Sequence, residues 1–66
     1  MIIYVNGKEE KVEEKLSIGK FLALKNIDAE SVFVELNMEV IQFEDYLKIF
    51  LNENDSLEIL KFVGGG

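Results

Sequence analysis

The sequence contains no cysteine and no histidine. It therefore has no disulfide and neither a thiolate nor an imidazole ligand for a metal site. The same absences remove the thiol nucleophile and the imidazole base that many enzymes use. A chain of 66 residues forms at most one domain and leaves little room for an enclosed pocket. We therefore expect a protein that is not an enzyme by itself and that has no metal and no cofactor of its own.

Positive charge is scarce, with 7 basic against 13 acidic residues and a formal net charge of −6. A phosphate backbone would repel such a surface, so nucleic acid is not an expected partner. Two interpretations of the charge remain open. It keeps the domain in solution, or it faces a basic surface on a partner protein.

Long apolar runs are also missing, since no stretch approaches the roughly 20 residues of a membrane span. The start "MIIYVNGKEE" is too short and too soon charged for a signal peptide. We expect a cytoplasmic protein that does not enter a membrane. Because the chain lacks disulfides and metal ligands, its stability must come from an apolar core, and 48% hydrophobic residues suffice for one.

The first half of the chain predicts a hairpin followed by a helix. Asn6-Gly7 after "MIIYV" is a strong hairpin signal, and it predicts a hairpin from Met1 to about Val12. Ser17 is a good N-cap, and Asn26 can end the helix in the left-handed region. Gly19 weakens the helix by about 1 kcal/mol relative to alanine. The apolar residues that share one helix face are Ile18, Phe21 and Leu22.

The second half predicts mostly strands. "SVFVELN" contains a strand over residues 32–36, a tight turn follows near Asn37, and "VI" is a short strand. "QFEDYL" is one helical turn, "NEND" is a turn with Asn54 at positive φ, and "SLEILKFV" is the last strand. The order predicts an α+β domain over residues 1–63, a mixed sheet with one main helix on one face. A flexible glycine tail is expected over residues 64–66.

Strand alternation separates a core face of the sheet from an open face. The predicted core residues are Ile3, Val5, Leu57 and Ile59. The residues predicted for a partner-docking face are Tyr4, Glu58, Leu60 and Phe62. A contiguous apolar patch there would indicate docking, whereas scattered apolar side chains would be ordinary strand residues.

The chain closes on "KFVGGG". Glycine has no Cβ, so Gly64 and Gly65 can pass through a channel too narrow for any side chain. The α-carboxylate of Gly66 is the most accessible carboxyl group of the chain, and adenylation by ATP would make it a good acyl donor. The glycines also fit two plainer interpretations, a trimmed linker and a cloning remnant.

Four stretches together resemble the ThiS family of sulfur carrier proteins of thiamine biosynthesis, along nearly the whole chain. They are "VNGKE", "LSIGKFLALKNID", "VELNMEVI" and "NENDSLEILKFVGGG". The resemblance implies a β-grasp (ubiquitin-like) fold. It also implies that Gly66 is adenylated by a ThiF-type enzyme using ATP and converted to a thiocarboxylate by a sulfur donor such as a cysteine desulfurase. Thiazole synthase (ThiG) would then take the sulfur, with Gly64 and Gly65 as the tail.

The sequence departs from the family pattern at six positions, which are Lys25, Asn26, Met38, Gln42, Phe43 and Asn54. Gln42 stands where proline is common, and Phe43 stands where a basic residue is common. Met38 replaces a usual glycine, so we expect the turn there to differ in type. Other interpretations are a MoaD-like small subunit of molybdopterin synthase, a ubiquitin-related modifier, and a β-grasp adaptor that uses only its open sheet face.

Overall fold

The computed structural model describes residues 1–62. Five strands and one α-helix make up the fold: β1 (Ile2–Val5), β2 (Lys8–Lys11), α1 (Ile18–Leu24), β3 (Val32–Leu36), β4 (Glu39–Ile41) and β5 (Ser56–Lys61). The strand order is β2-β1-β5-β3-β4. β1 and β5 are parallel, and the other neighbours are antiparallel. The predicted mixed sheet with one main helix is confirmed. The predicted boundary at residue 63 and the glycine tail lie outside the described residues.

The hairpin at the start of the chain forms as its turn residues predict. Asn6 has φ +50° and Gly7 has φ +83°, and Val5 pairs directly with Lys8. Two consecutive residues with positive φ match the right-handed twist of the flanking strands. The turn therefore fixes the register of β1 and β2.

The helix also begins and ends where the sequence indicates. The Ser17 hydroxyl accepts a hydrogen bond of 3.0 Å from the Lys20 backbone N–H, and Asn26 follows the helix at φ +59°. The predicted apolar face is buried. Gly19 has a packing reason to be there, because a Cβ at this position would lie 2.6 Å from Cδ2 of Leu47.

The core lies between α1 and one face of the sheet. Its fully buried side chains are Ile3, Ile18, Phe21, Leu22, Val34 and Leu57. Of the predicted core residues, Ile3 and Leu57 are therefore confirmed as fully buried. Val5 and Ile59 are half-buried and pack against the core from its edge.

One connection was not predicted, a 3-10 helix over Ala29–Ser31 that leads into β3. In the β3–β4 turn, Asn37 (φ +51°) and Met38 (φ +73°) both have positive φ, as Asn6 and Gly7 do in the first hairpin turn. A difference in type from the turn of the family stays a prediction. A second 3-10 helix, Phe43–Asp45, forms the predicted helical turn.

In the described part of the chain, no helix has the length and apolar character needed to cross a bilayer.

Candidate functional site

The central strand β5 leads directly to the end of the described chain. It lies between β1 and β3. It carries Glu58 and Leu60 of the predicted docking face, and Phe62 follows it directly. The Phe62 backbone N–H donates to the Ser31 carbonyl at 3.0 Å, which holds Phe62 against the segment that precedes β3. The predicted sulfur-carrying residue, Gly66, and its neighbours Gly64 and Gly65 lie outside residues 1–62.

An apolar patch surrounds this end of β5 on the open face of the sheet. Leu60 pairs with Phe33 of β3, and the rings of Phe33 and Phe62 meet edge to face with centroids 4.3 Å apart. The exposed fractions are 56% for Phe33, 52% for Leu60 and 45% for Phe62. We call these three residues the tail-side patch. Edge-to-face contact fixes two aromatic rings that water would otherwise surround, so the patch presents a defined apolar shape.

Tyr4 lies on the same face but away from this patch. It pairs with Ser56 at the beginning of β5, four residues before Leu60. At about 3.3 Å per residue this separation is roughly 13 Å along the strand. Tyr4 was predicted to share a docking face with Leu60 and Phe62; it lies on their face of the sheet but is separated from them along β5. The reason is that β1 runs parallel to β5 and pairs only with its first residues.

Glu58 is the fourth residue of the predicted docking face, and it faces a second carboxylate. Its direct neighbour across the β5–β3 ladder is Glu35, and both side chains are half-buried. The salt bridges within residues 1–62 join Lys25 to Glu10 and Lys48 to Asp45. Within this range, neither Glu35 nor Glu58 forms a salt bridge. Like charges placed directly opposite each other destabilise a sheet. The open face therefore combines apolar side chains with an unneutralised negative charge.

Sequence reasoning missed Phe33 and Glu35. Alternation with the buried Val32 and Val34 assigns both of them to the open face. Alternation therefore indicates the face on which both residues lie, but not that they lie beside Leu60 and Glu58. Their position follows from the pairing of β3 with β5. The pairing of strands that lie far apart in sequence is set by packing and not by local pattern.

A cleft on another part of the domain is remote from Phe62. It has a volume of about 460 Å³ and is lined in part by Met1, Lys15 and Asn52. β1 and β5 are parallel, so the start of β1 lies at the opposite end of the sheet from Phe62. The cleft therefore lies far from Phe62, at the other end of the sheet.

Among the titratable groups of residues 1–62, that of Tyr46 has a shifted pKa. Tyr46 follows the second 3-10 helix, its side chain is 4% exposed, and its hydroxyl donates to the Val32 carbonyl at 3.4 Å. Burial raises the pKa of this phenol above its usual value of 10.0, because the phenolate would lose its hydration. Tyr46 is a core residue and faces neither the tail-side patch nor a reactive group.

The sheet order and the helix packed across one face define a β-grasp domain, and comparison with known proteins identifies which kind. The family model described as "ThiS family" matches residues 2–66. The crystal structure of the thiamine biosynthesis protein ThiS from Geobacter metallireducens superposes with a TM-score of 0.85. That protein is 42% identical, and each chain covers 100% of the other. The chain belongs to the ThiS family, and the predictions of family and fold are confirmed.

Two further relatives differ in length. The sulfur carrier protein ThiS of Bacillus subtilis is 36% identical over 66 residues, which cover 98% of this chain and 100% of that protein. A thiazole synthase of Paramagnetospirillum magneticum is 32% identical over 66 residues, which are 100% of this chain but 20% of that protein. The chain therefore spans one fifth of this longer relative, in which a ThiS-like region is part of the same polypeptide as the rest of the synthase.

Proposed function

We propose that this ThiS family protein is a sulfur carrier of thiamine biosynthesis and that its carrying group is the α-carboxylate of Gly66. The observation that carries the proposal is family membership over residues 2–66, which includes the closing glycines. The relatives named for thiamine biosynthesis favour this pathway over the molybdopterin alternative. The protein acts as a cosubstrate of its partner enzymes and not as a catalyst.

The chemistry proceeds in two balanced steps. In the first, a carboxylate oxygen of Gly66 attacks the α-phosphorus of ATP, which gives an acyl adenylate and releases pyrophosphate. In the second, a sulfur nucleophile attacks the acyl carbon and AMP leaves with the bonding electron pair. With hydrosulfide as nucleophile, loss of its proton gives the thiocarboxylate directly. A persulfide on a desulfurase requires one further reduction of the sulfur–sulfur bond, by a thiol.

The tail-side patch and its acidic neighbours provide the docking surface in this scheme. Leu60 and Phe62, together with Phe33, offer the apolar contacts that dominate binding energy at protein interfaces. Glu58 and the net charge of −6 accelerate the encounter with a basic partner surface and do so less at high salt. Tyr4, roughly 13 Å away along β5, lies toward the margin of this surface.

The partners follow from the chemistry and from the relatives. A ThiF-type adenylating enzyme binds ATP and activates Gly66, and a cysteine desulfurase is the proposed sulfur donor. Thiazole synthase accepts the sulfur. The presence of a ThiS-like region within the Paramagnetospirillum thiazole synthase supports this last partner, because joining two proteins in one chain raises their effective concentration for each other.

ATP–pyrophosphate exchange with a ThiF-type enzyme tests the activation step. The wild-type protein should support exchange, whereas a variant lacking Gly66 and a variant with one alanine added after Gly66 should not. Circular dichroism and thermal unfolding serve as controls that each variant keeps the wild-type fold. Equal exchange with the extended variant, with the added residue still present by mass, would refute the role of the Gly66 carboxylate.

A further inference from the structure

A second apolar surface lies on the helix side of the domain and has no part in the function described so far. It is a cleft of about 280 Å³, and the residues that line it are Gly19, Ala29, Phe43, Glu44, Tyr46 and Leu47. Phe43 is 52% exposed and Leu47 is 73% exposed. The volume is just below the roughly 300–1,000 Å³ of small-molecule sites. The cleft therefore suits one or two side chains of another protein.

Two contacts place this cleft beside the end of β5. Ala29 begins the 3-10 helix whose last residue, Ser31, accepts the hydrogen bond from Phe62. Tyr46, which lines the cleft, donates to the carbonyl of Val32, and Val32 pairs with Lys61 at the end of β5. The tail-side patch lies on the open face of the same strand ends. Two apolar surfaces thus flank Phe62 and the end of β5 from opposite faces of the sheet.

The shape of the cleft depends on Gly19. The Leu47 side chain lies against the first turn of α1. A Cβ on residue 19 would be only 2.6 Å from Cδ2 of Leu47. The Gly19 N–H also donates to the Tyr46 carbonyl at 2.8 Å, which holds the two segments together. A glycine inside a helix lowers the stability of the helix relative to alanine. The chain bears this cost at a helical position where a Cβ would collide with Leu47.

We propose that the enzyme that adenylates Gly66 covers this cleft as well as the tail-side patch, and so holds the end of the domain from both faces. The inference rests on the proposed function. Four residues separate Phe62 from the carboxylate of Gly66, and four residues span at most about 14 Å when fully extended. An active site that receives this carboxylate must therefore lie within that distance of Phe62.

The chemistry of the step selects this enzyme as the occupant. An acyl adenylate is readily hydrolysed, so the enzyme that forms it must keep water away from the chain end. Enclosure of a tail this short brings enzyme surface against both faces of the domain around it. Charge agrees, because Glu44 borders the cleft and the pair of Glu35 and Glu58 borders the tail-side patch. One basic enzyme surface is complementary to both.

The test is ATP–pyrophosphate exchange with the ThiF-type enzyme, measured as a function of carrier concentration for Leu47→Ser and Phe43→Ser. Each substitution should raise the KM for the carrier roughly tenfold and leave kcat unchanged, since truncation of a buried anchor at an interface weakens binding by about this factor. Met38→Ser is the matched control. Met38 is 89% exposed in the β3–β4 turn, at the opposite end of the sheet from Phe62, and its loss should leave KM unchanged.

The outcomes separate the two proposals. Absence of exchange with the wild-type protein would refute the proposed function itself. Normal exchange by the wild type together with an unchanged KM for Leu47→Ser would refute the covered cleft alone. Phe43 packs on Tyr46 with centroids 5.5 Å apart, so a loss of stability in Phe43→Ser leaves Leu47→Ser to decide. If Leu47→Ser slows only sulfur transfer to thiazole synthase, the proposed occupant is wrong.

Discussion

The side-chain amide of Asn6 makes two hydrogen bonds to the backbone of Ile59. Its Nδ2 donates to the Ile59 carbonyl at 3.2 Å, and its Oδ1 accepts from the Ile59 N–H at 2.8 Å. β1 has already ended at Val5, so the amide continues the parallel contact with β5 beyond the last backbone pair. One residue therefore serves both the hairpin turn and the strand that leads to the docking surface.

Replacement of Asn6 by glycine separates these two roles. Glycine keeps the positive φ of the turn but removes both bonds to Ile59, so the free energy of unfolding should fall by about 1–2 kcal/mol. Urea unfolding followed by circular dichroism measures the change. Asn54→Gly is the matched control, since Asn54 is at φ +69° and its backbone N–H bond to the Ile2 carbonyl is retained. An equal loss in both variants would show that the amide contributes nothing.

Met38 occupies a strained backbone conformation without compensation from packing. Its φ is +73°, and its side chain is 89% exposed. The left-handed region costs a residue with a Cβ roughly 1–2 kcal/mol. Replacement by glycine removes this cost, but part of the benefit is offset because glycine increases the conformational entropy of the unfolded chain. We expect Met38→Gly to raise the free energy of unfolding by about 0.5–1 kcal/mol. Met38→Ala keeps the Cβ and should give no gain, and equal stabilities of the two variants would contradict the strain argument.

The buried phenol of Tyr46 predicts a loss of stability at alkaline pH. Its pKa is raised in the folded state, so the unfolded chain releases the phenolic proton first as the pH rises past 10.0. The contribution of the neutral phenol to the free energy of unfolding is fully present below pH 10.0 and is lost as the pH rises through the pKa of Tyr46 in the folded state. Urea midpoints should therefore fall less steeply above pH 10 in Tyr46→Phe than in the wild type. Equal slopes in Tyr46→Phe and in the wild type would contradict this account of the buried phenol.

The narrow-channel explanation of the glycines predicts a defect without unfolding. Gly65→Val adds a branched side chain close to the carboxylate, so ATP–pyrophosphate exchange should fall at least tenfold. Thermal unfolding should match the wild type, because residue 65 follows the last strand of the described domain. Exchange at the wild-type rate would leave the glycines without the role proposed for them.

Local signals predicted much of this fold. Asn6-Gly7 fixed the first turn, and Ser17 and Asn26 marked the two ends of the helix, because each depends only on neighbours in sequence. The 3-10 helix over Ala29–Ser31 was missed. It is three residues long, and its cap, Asp28, lies in a stretch without an apolar period. Short segments of this kind give too little periodicity to be read from sequence.

The docking surface was predicted in part. Alternation assigned Leu60 and Phe62 to the open face correctly, and both are exposed there. It could not show that Tyr4 pairs with Ser56 or that Phe33 pairs with Leu60, because those registers join strands distant in sequence. The helix-side cleft was not predicted at all. It requires three segments to meet, those of Gly19, Ala29 and Leu47.

The most direct test of the central claim is the intact mass of the native protein isolated from its own cells. The account predicts two species, the carboxylate and a heavier form in which one terminal oxygen is replaced by sulfur. Fragmentation should place the added mass on Gly66, and alkylation of the thiocarboxylate should modify that residue in a chain that has no cysteine. Detection of the carboxylate alone, in cells that are actively making thiamine, would contradict the account.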